Sequence, residues 1–451
     1  MTDHRTRALR GASLATLAVA TVLAAAPAHA GAFYLADQST KATGRAYSGE
    51  VSEQGAQQQY YNPAAIGGID SLQSYFGLTA ILPHADAIDA GSTVTRPGLL
   101  AGVGATTPVG GDPRQHNPVN KGYLPNGGFA IPLPANFAFG FTMASPYSFT
   151  TNYDADSWAR YSADRTRLRT FEFQPSIAWS PAPSLSFGAA PVIDYVRATF
   201  SNYLPDPLSA TAPDGHQLLK GSGWDVGYTF GFQFHTDKVD LGASYKSAVT
   251  HHLKGHLIVD GISAADPLSA LINQRVKGAR ATFTTPWSVS LGMRYHVTRQ
   301  FTLNTQATRF GWSKFNEIAL SDLGPNIGDQ AIAQNYKNSW AFSVGFDYDV
   351  SPKLTLRGGV ARDLTPVQSG FRDPRVPDGD RWDYATGLTY MLTPKFGIDA
   401  AASYAHIAGS TIDKPTAIYD QTLLTNAATN PDGQLKNGRA VLLSLGGHMS
   451  F

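Results

Sequence analysis

The chain of 451 residues contains no cysteine. That excludes thiol nucleophiles, iron–sulfur clusters and thiolate zinc sites. It says little about the redox compartment, because a large closed sheet needs no disulfide staples. Beyond residue 30, no stretch approaches the ~18 consecutive apolar residues that a membrane helix requires. Charge is also scarce: 15% of residues are Asp, Glu, Lys or Arg, and the formal net charge is +1. So balanced a surface carries no nucleic-acid signature. There is no phosphate loop of the GxxxxGK[ST] type, and hence no sign of an energy source within the chain.

What is present begins with a leader. Arg5, Arg7 and Arg10 precede an apolar stretch from Ala12 to Ala25, and Ala28-His29-Ala30 is a small-x-small cleavage site. Residues 1–30 read as a secretory signal peptide, so the mature chain is expected to start at Gly31. If such an exported protein enters a membrane, it must do so as a closed barrel, since only helices and barrels satisfy every backbone group in lipid.

Seven segments alternate large apolar residues with polar or tiny ones. Trp224, Val226, Tyr228, Phe230, Phe232 and Phe234 alternate with Asp225, Gly227, Thr229, Gly231 and Gln233. On a strand these sets face opposite ways, one greasy and one wet. A barrel turns the greasy set to lipid and the wet set to its lumen. Strands are predicted at 69–82, 123–133, 136–148, 167–179, 184–201, 224–236, 238–255, 280–296, 300–320, 337–350, 353–365, 381–392, 395–409 and 438–451. Tight turns such as Pro134-Ala135-Asn136 alternate with long links at 202–223, 256–279, 321–336, 366–380 and 410–437. Short periplasmic turns and long outer loops are the habit of such barrels. No blade-length repeat favours a propeller.

Four local features stand out. Residues 31–68 do not alternate and read as a compact non-barrel segment. Pro146 falls inside a predicted strand, where it marks either a break in the wall or an ordinary edge position. Asp266-Pro267 caps a short apolar helical pattern, Leu268, Leu271 and Ile272, which is either an exposed greasy surface or packing within its own loop. His251, His252 and His256 cluster, but the first two alternate faces and no nucleophile accompanies them. The sequence therefore gives no enzyme, metal site or cofactor.

Gly44-Arg45-Ala46-Tyr47-Ser48-Gly49-Glu50 followed by Asn62-Pro63-Ala64 resembles the N-terminal plug of the FadL/TodX type. This is the long-chain fatty-acid and aromatic-hydrocarbon transporter family of Gram-negative outer membranes. Ser244-Tyr245-Lys246-Ser247, Ala361-Arg362-Asp363-Leu364-Thr365-Pro366-Val367, Pro377-Asp378-Gly379-Asp380-Arg381 and the terminal Phe451 extend the resemblance over the mature chain. It implies an all-β fold: a fourteen-stranded antiparallel transmembrane β-barrel (69–451) with an N-terminal hatch (31–68) plugging the lumen.

By the same resemblance, Gly44, Arg45, Asn62, Pro63 and Ala64 belong to the hatch or gate. Pro146, Tyr147 and Ser148 lie at a kinked strand that opens sideways, with Asp363 beside it. Apolar outer-loop residues, here Leu204, Leu208, Leu268, Leu271 and Ile272, would capture substrate. The implied function is passive, ligand-gated uptake of a fatty acid or similar compound with lateral release into outer-membrane lipid. The alternatives are an aromatic hydrocarbon channel of the same family or a general diffusion porin. A monomer is expected. One departure is that the positions where fatty-acid members carry basic residues look like Asn202 and Ile332 here. Either the register shifts in these loops or the ligand is less acidic than a fatty acid.

Overall fold

The structure, a computed structural model, describes residues 31–97, 103–207, 211–263, 270–422, 424 and 427–451. Fourteen antiparallel strands form the wall. They are β1 (Gln73–Asp89), β2 (Gly122–Leu133), β3 (Phe137–Ala144, resuming at Phe149–Asn152), β4 (Arg165–Ala182), β5 (Leu185–Leu204), β6 (Gly215–His235) and β7 (Val239–Lys246, resuming at Val249–Asp260). The rest are β8 (Gln274–Thr285 and Ser288–His296), β9 (Phe301–Phe310), β10 (Ser339–Ser351), β11 (Leu354–Asp363), β12 (Arg381–Thr393), β13 (Phe396–Ile407) and β14 (Gly433–Ser450). The sheet closes because β1 pairs with both β2 and β14, from Gln73 opposite Ser450 to Asp89 opposite Gly433. Closure removes the free edges that lipid would leave unsatisfied.

The alternation sorts as a barrel demands. On β6, Trp224 and Phe230 are 61% and 54% exposed, whereas Thr229 between them is 1% exposed. Tight turns gather at one end, and there Phe451 N–H donates to the carbonyl of Leu72. At the other end, loop segments Thr93–Pro97, Val103–Pro108, Thr416–Ile418 and Ala427–Asn430 form a small sheet of their own.

Strand continuity differs from expectation at 247–248 and 286–287, where the predicted strands 238–255 and 280–296 are interrupted, and in two further, more instructive places. The predicted strand 300–320 is interrupted after Phe310: Gly311 is in contact with the Trp287 ring, and Trp312–Lys314 forms a 3-10 turn before pairing resumes at Glu317–Ser321. Likewise 136–148 is not one strand, since β3 breaks over 145–148. Several strands also run beyond the expected span into the outer loops, so that link 202–223 contains the ends of β5 and β6.

Residues 31–68 fill the lumen as a hatch. A short helix, α1 (Thr40–Gly44), starts at Ser39, whose hydroxyl accepts the Ala42 N–H. A 3-10 turn, Pro63–Ile66, starts at Asn62. Both use side-chain caps on otherwise unpaired donors, with Pro63 at the first turn position where its missing N–H costs nothing.

Candidate functional site

Two devices fasten the hatch. Near the turn end, Asn62 caps the Pro63–Ile66 turn through the Ala64 N–H, while its amide donates to the carbonyls of Val51 (2.6 Å) and Phe232 (3.0 Å). Gly188 and Gly231 let this turn lie against the wall: a Cβ at Gly231 would stand 1.8 Å from Asn62 Oδ1, and one at Gly188 2.3 Å from Ala64 N. Higher up, Gly44 meets Gly387 of β12 backbone to backbone.

Arg45 is fully buried and donates to Glu50 Oε1 (2.7 Å), Asp347 Oδ2 (3.0 Å) and Glu53. Arg294 of β8 joins Glu53 and Asp347, and Arg357 of β11 reaches Asp347 Oδ1 at 2.8 Å. Burial works against ionisation of Glu53, yet Arg294, Arg45 and Lys41 prevail and hold its carboxyl well below the usual range. Four basic and three acidic side chains thus weld α1 and the following turn to three wall strands.

The N-terminal segment lies instead at a hole in that wall. β3 pairs with β2 only from Gly127–Met143 to Leu133–Phe137, so residues 122–126 of β2 pair with β1 but have no partner on β3. Contact resumes farther out, where Asn120 N–H donates to Thr150 O and Asn152 N–H to Pro118 O. Pro125 sits on this unpaired stretch, where a proline is tolerated.

Across from β4, four residues of β3 (145–148) oppose three (169–171). The freed backbone groups are taken by the hatch and β4. Leu35 N–H donates to Pro146 O (2.8 Å), Ser145 N–H to Gln38 Oε1 (2.9 Å), and Tyr147 N–H to Thr170 Oγ1 (2.9 Å). Ser148 Oγ accepts the Thr170 N–H. The predicted kink residues Pro146, Tyr147 and Ser148 are therefore the broken segment itself. Asp363, bound to Arg381 at 3.1 Å, reaches it only through Gly31, whose Cβ position would be 2.7 Å from Asp363 Oδ2. Ala32 N–H donates to Asp378 Oδ2, and burial pushes that loop carboxyl up to about 7.

Three cavities run inward from the loops to this hole. An outer one of about 480 Å³ is lined by Leu204, Leu219, Ile318, Leu320, Ile332 and Ile418, with Asn202, Arg375 and Lys414 as polar members. A neck of about 30 Å³ follows, sharing Phe200, Ile318 and Arg375 with the outer cavity. The inner cavity, again about 480 Å³, shares Phe33 and Phe149 with the neck and extends to Leu124, Pro125, Ser145 and Ser148 at the hole. Phe33 stands in between, ringed by Tyr147, Phe149, Trp312 and Phe315 at centroid distances of 5.0 to 5.9 Å.

Of the residues expected to capture substrate, Leu204 lines the outer cavity. Ile272 is buried in the outer core, Leu271 is exposed, and neither lines a cavity described above. Leu208, Leu268 and the expected cap Asp266-Pro267 lie outside the described residues. His251 is buried against Thr285, while His252 faces outward onto Asp225. Sequence reasoning missed Phe33, Trp312, Phe315, Arg375 and Lys414. Only Phe33 carried a signal, as an aromatic just after the expected cleavage site.

Relatives agree with this architecture. A putative outer membrane protein of Neisseria meningitidis serogroup B is 27% identical over 430 residues, 87% of this chain and 89% of that protein. The long-chain fatty acid transport protein of Escherichia coli O6:H1 is 25% identical over 424 residues, 86% and 90% of the two chains. A Pseudomonas aeruginosa FadL homologue of known crystal structure is 24% identical and superposes with a TM-score of 0.79, covering 93% of this chain and 100% of that one. The Pseudomonas putida toluene transporter TodX gives a TM-score of 0.62 at 16% identity, over 88% and 94%. The profile of the family described as outer membrane protein transport protein (OMPP1/FadL/TodX) matches residues 21–451, and the chain belongs to that family of outer-membrane β-barrel transporters of hydrophobic compounds.

Proposed function

We propose that this protein is a ligand-gated, passive conduit that takes a hydrophobic molecule from the outer loops and releases it sideways through the gap between β2 and β3. The observation that carries the reading is the unpaired stretch 122–126 facing the broken segment 145–148, with the inner cavity directly behind it. A hydrocarbon chain gains roughly 0.8 kcal/mol per CH₂ on leaving water, so it enters greasy cavities readily and would cross an aqueous pore poorly. Lateral exit keeps the chain dehydrated throughout.

Phe33 is the valve in this scheme. It occupies an aromatic ring of side chains that an apolar ligand would also favour, and it is tied through Tyr34 and Leu35 to the broken strand. A ligand that displaces Phe33 draws the segment 31–38 away from the hole. The salt-bridged body of the hatch stays in place, so no porin-like channel opens.

The test removes the extra residue. Deleting Pro146 leaves three residues opposite three and restores a continuous ladder between β3 and β4. Uptake of hydrophobic substrate into cells should fall to about a tenth or less while the purified barrel keeps its heat-modifiable mobility. Unchanged uptake would refute lateral exit at this strand.

A further inference from the structure

On the lipid-facing side of the wall, cations gather between the aromatic residues and the outer loops. Strand pairing sets Arg169 of β4 opposite Arg197 of β5, and Arg197 opposite Ser222 of β6. The row continues with Lys254 of β7 opposite Ser222 and Arg280 of β8 opposite Lys254. All five share the lipid-facing side, because Thr170, Val196, Leu253 and Ala281 beside them are buried. One step toward the loops, the same register carries Arg167, Thr199, Lys220, His256 and Lys277 across the same strands. One step toward the membrane it carries Phe171, Tyr195 and Trp224, with the Tyr195 and Trp224 rings 4.7 Å apart. From strand geometry the two cationic rows form a belt roughly 20 Å wide and about 7 Å tall.

Like charges directly opposite each other, as at Arg169–Arg197 and Lys254–Arg280, destabilise a sheet left to itself. Nearby carboxylates do little to relieve them. Asp164 is engaged by His216 and Ser201, Asp225 by His252, Asp260 by Arg275 and Asp322 by Arg280. Glu172 and Asp194 are buried on the inner face of β4 and β5. Among the described residues, no carboxylate lies within ion-pair distance of Arg167, Arg169, Arg197, Lys220 or Lys254. Directly below the belt the same face turns fully apolar, with Val226, Tyr228 and Phe230 all about half exposed or more. A nucleic acid or an acidic protein would meet the cations and leave that apolar face unused. A lipid with phosphates in its head group meets both, because basic side chains near a membrane surface attract anionic head groups and acyl chains lie along the wall beneath.

We propose that the belt on β4 to β8 is a docking surface for a phosphorylated lipid of the outer leaflet. Arg167, Arg169, Arg197 and Lys254 take the phosphates, and the acyl chains run down past Tyr195 and Trp224. Charge-assisted hydrogen bonds to phosphate, bidentate where arginine makes them, supply the attraction. The belt ends at β4, the strand that also opposes the broken segment 145–148, so the docked lipid stands on one flank of the hole. The proposal does not depend on sideways release and holds whether or not the hole conducts substrate.

The experiment takes the full barrel in a non-ionic detergent with EDTA and measures retention of lipid A, a bisphosphorylated glycolipid, by native mass spectrometry. Wild type should hold lipid A about tenfold or more tightly than the same lipid stripped of both phosphates. The triple variant Arg167→Gln/Arg169→Gln/Arg197→Gln should bind lipid A roughly a hundredfold more weakly while keeping the heat-modifiable mobility of a folded barrel. Lys220→Gln/Lys254→Gln, on two other strands, should weaken binding roughly thirtyfold and carries the test if the triple variant does not fold. Arg299→Gln/Lys353→Gln/Lys395→Gln removes as much charge at the tight turns and should bind like wild type. Equal binding of the two lipids by wild type would overturn the docking surface. So would lipid A binding that survives in the belt variants, or that falls equally in the turn variant. A short DNA duplex held as tightly as lipid A would mark an unselective anion patch and overturn it too.

Discussion

At the scale of single residues, Arg45 carries more structural responsibility than any other hatch side chain. It satisfies Glu50, Glu53 and Asp347 at once, in a setting where none of the three meets bulk water freely. Arg45→Met would leave buried Glu50 without its cation, while Glu53 and Asp347 keep Lys41, Arg294 and Arg357, a loss of about 3–5 kcal/mol for a broken buried pair. The expected outcome is a lower urea midpoint in detergent and proteolysis within residues 31–68, with the strands still protected. Gly231 poses the opposite problem, since it has no space to give. Gly231→Val would push Asn62 out of its three-way contact with Ala64, Val51 and Phe232, so the turn end of the hatch should loosen. In a planar bilayer wild type should pass no steady current, and this variant should show intermittent ionic openings.

At the scale of elements, the strands were legible because lipid imposes a strict period of two on one face. Trp340, Phe342, Val344, Phe346, Tyr348 and Val350 declare a wall strand without any neighbour being known. Breaks were harder to read. Pro146 was visible as an anomaly, but an interruption in pairing is a property of register, and register between β2 and β3 is not written in either strand alone. Pro125 looked unremarkable for the same reason. At Trp312 and Phe315 the chain leaves the wall for a 3-10 turn around an inserted aromatic, and nothing in the local alternation announces it. Arg375 and Lys414 lie on loops with no periodicity, so only the folded arrangement brings them to one cavity. The candidate site was thus legible at a motif of the hatch turn, Asn62-Pro63-Ala64, and at a proline within a predicted strand, Pro146, and silent where distant loops meet.

At the scale of the whole molecule, fastening is uneven. The body of the hatch is held by ion pairs to β8, β10 and β11, whereas residues 31–38 are held by backbone and side-chain hydrogen bonds and one aromatic ring of contacts. Movement is cheapest where fewest bonds are lost, so under the proposed gating a ligand would open the N-terminal end and one side of the wall.

The position of Gly31 carries a consequence for biogenesis. Cleavage after Ala30 would leave a free ammonium there, beside Asp363 and one residue from the Ala32 N–H that Asp378 Oδ2 accepts. The new terminus would act as its own bolt, and maturation and sealing would be one event. Where that ammonium is missing, Asp378 keeps a pKa near 7, so the seated segment is favoured below about pH 4 and progressively released as pH rises through 7. Refolded barrels beginning at Gly31 should hold residues 31–38 protease-resistant at pH 8. Barrels bearing a two-residue extension should lose that resistance progressively between about pH 4 and pH 7, the free and the buried midpoints of the carboxyl. Equal resistance in both would show that the bolt is not electrostatic.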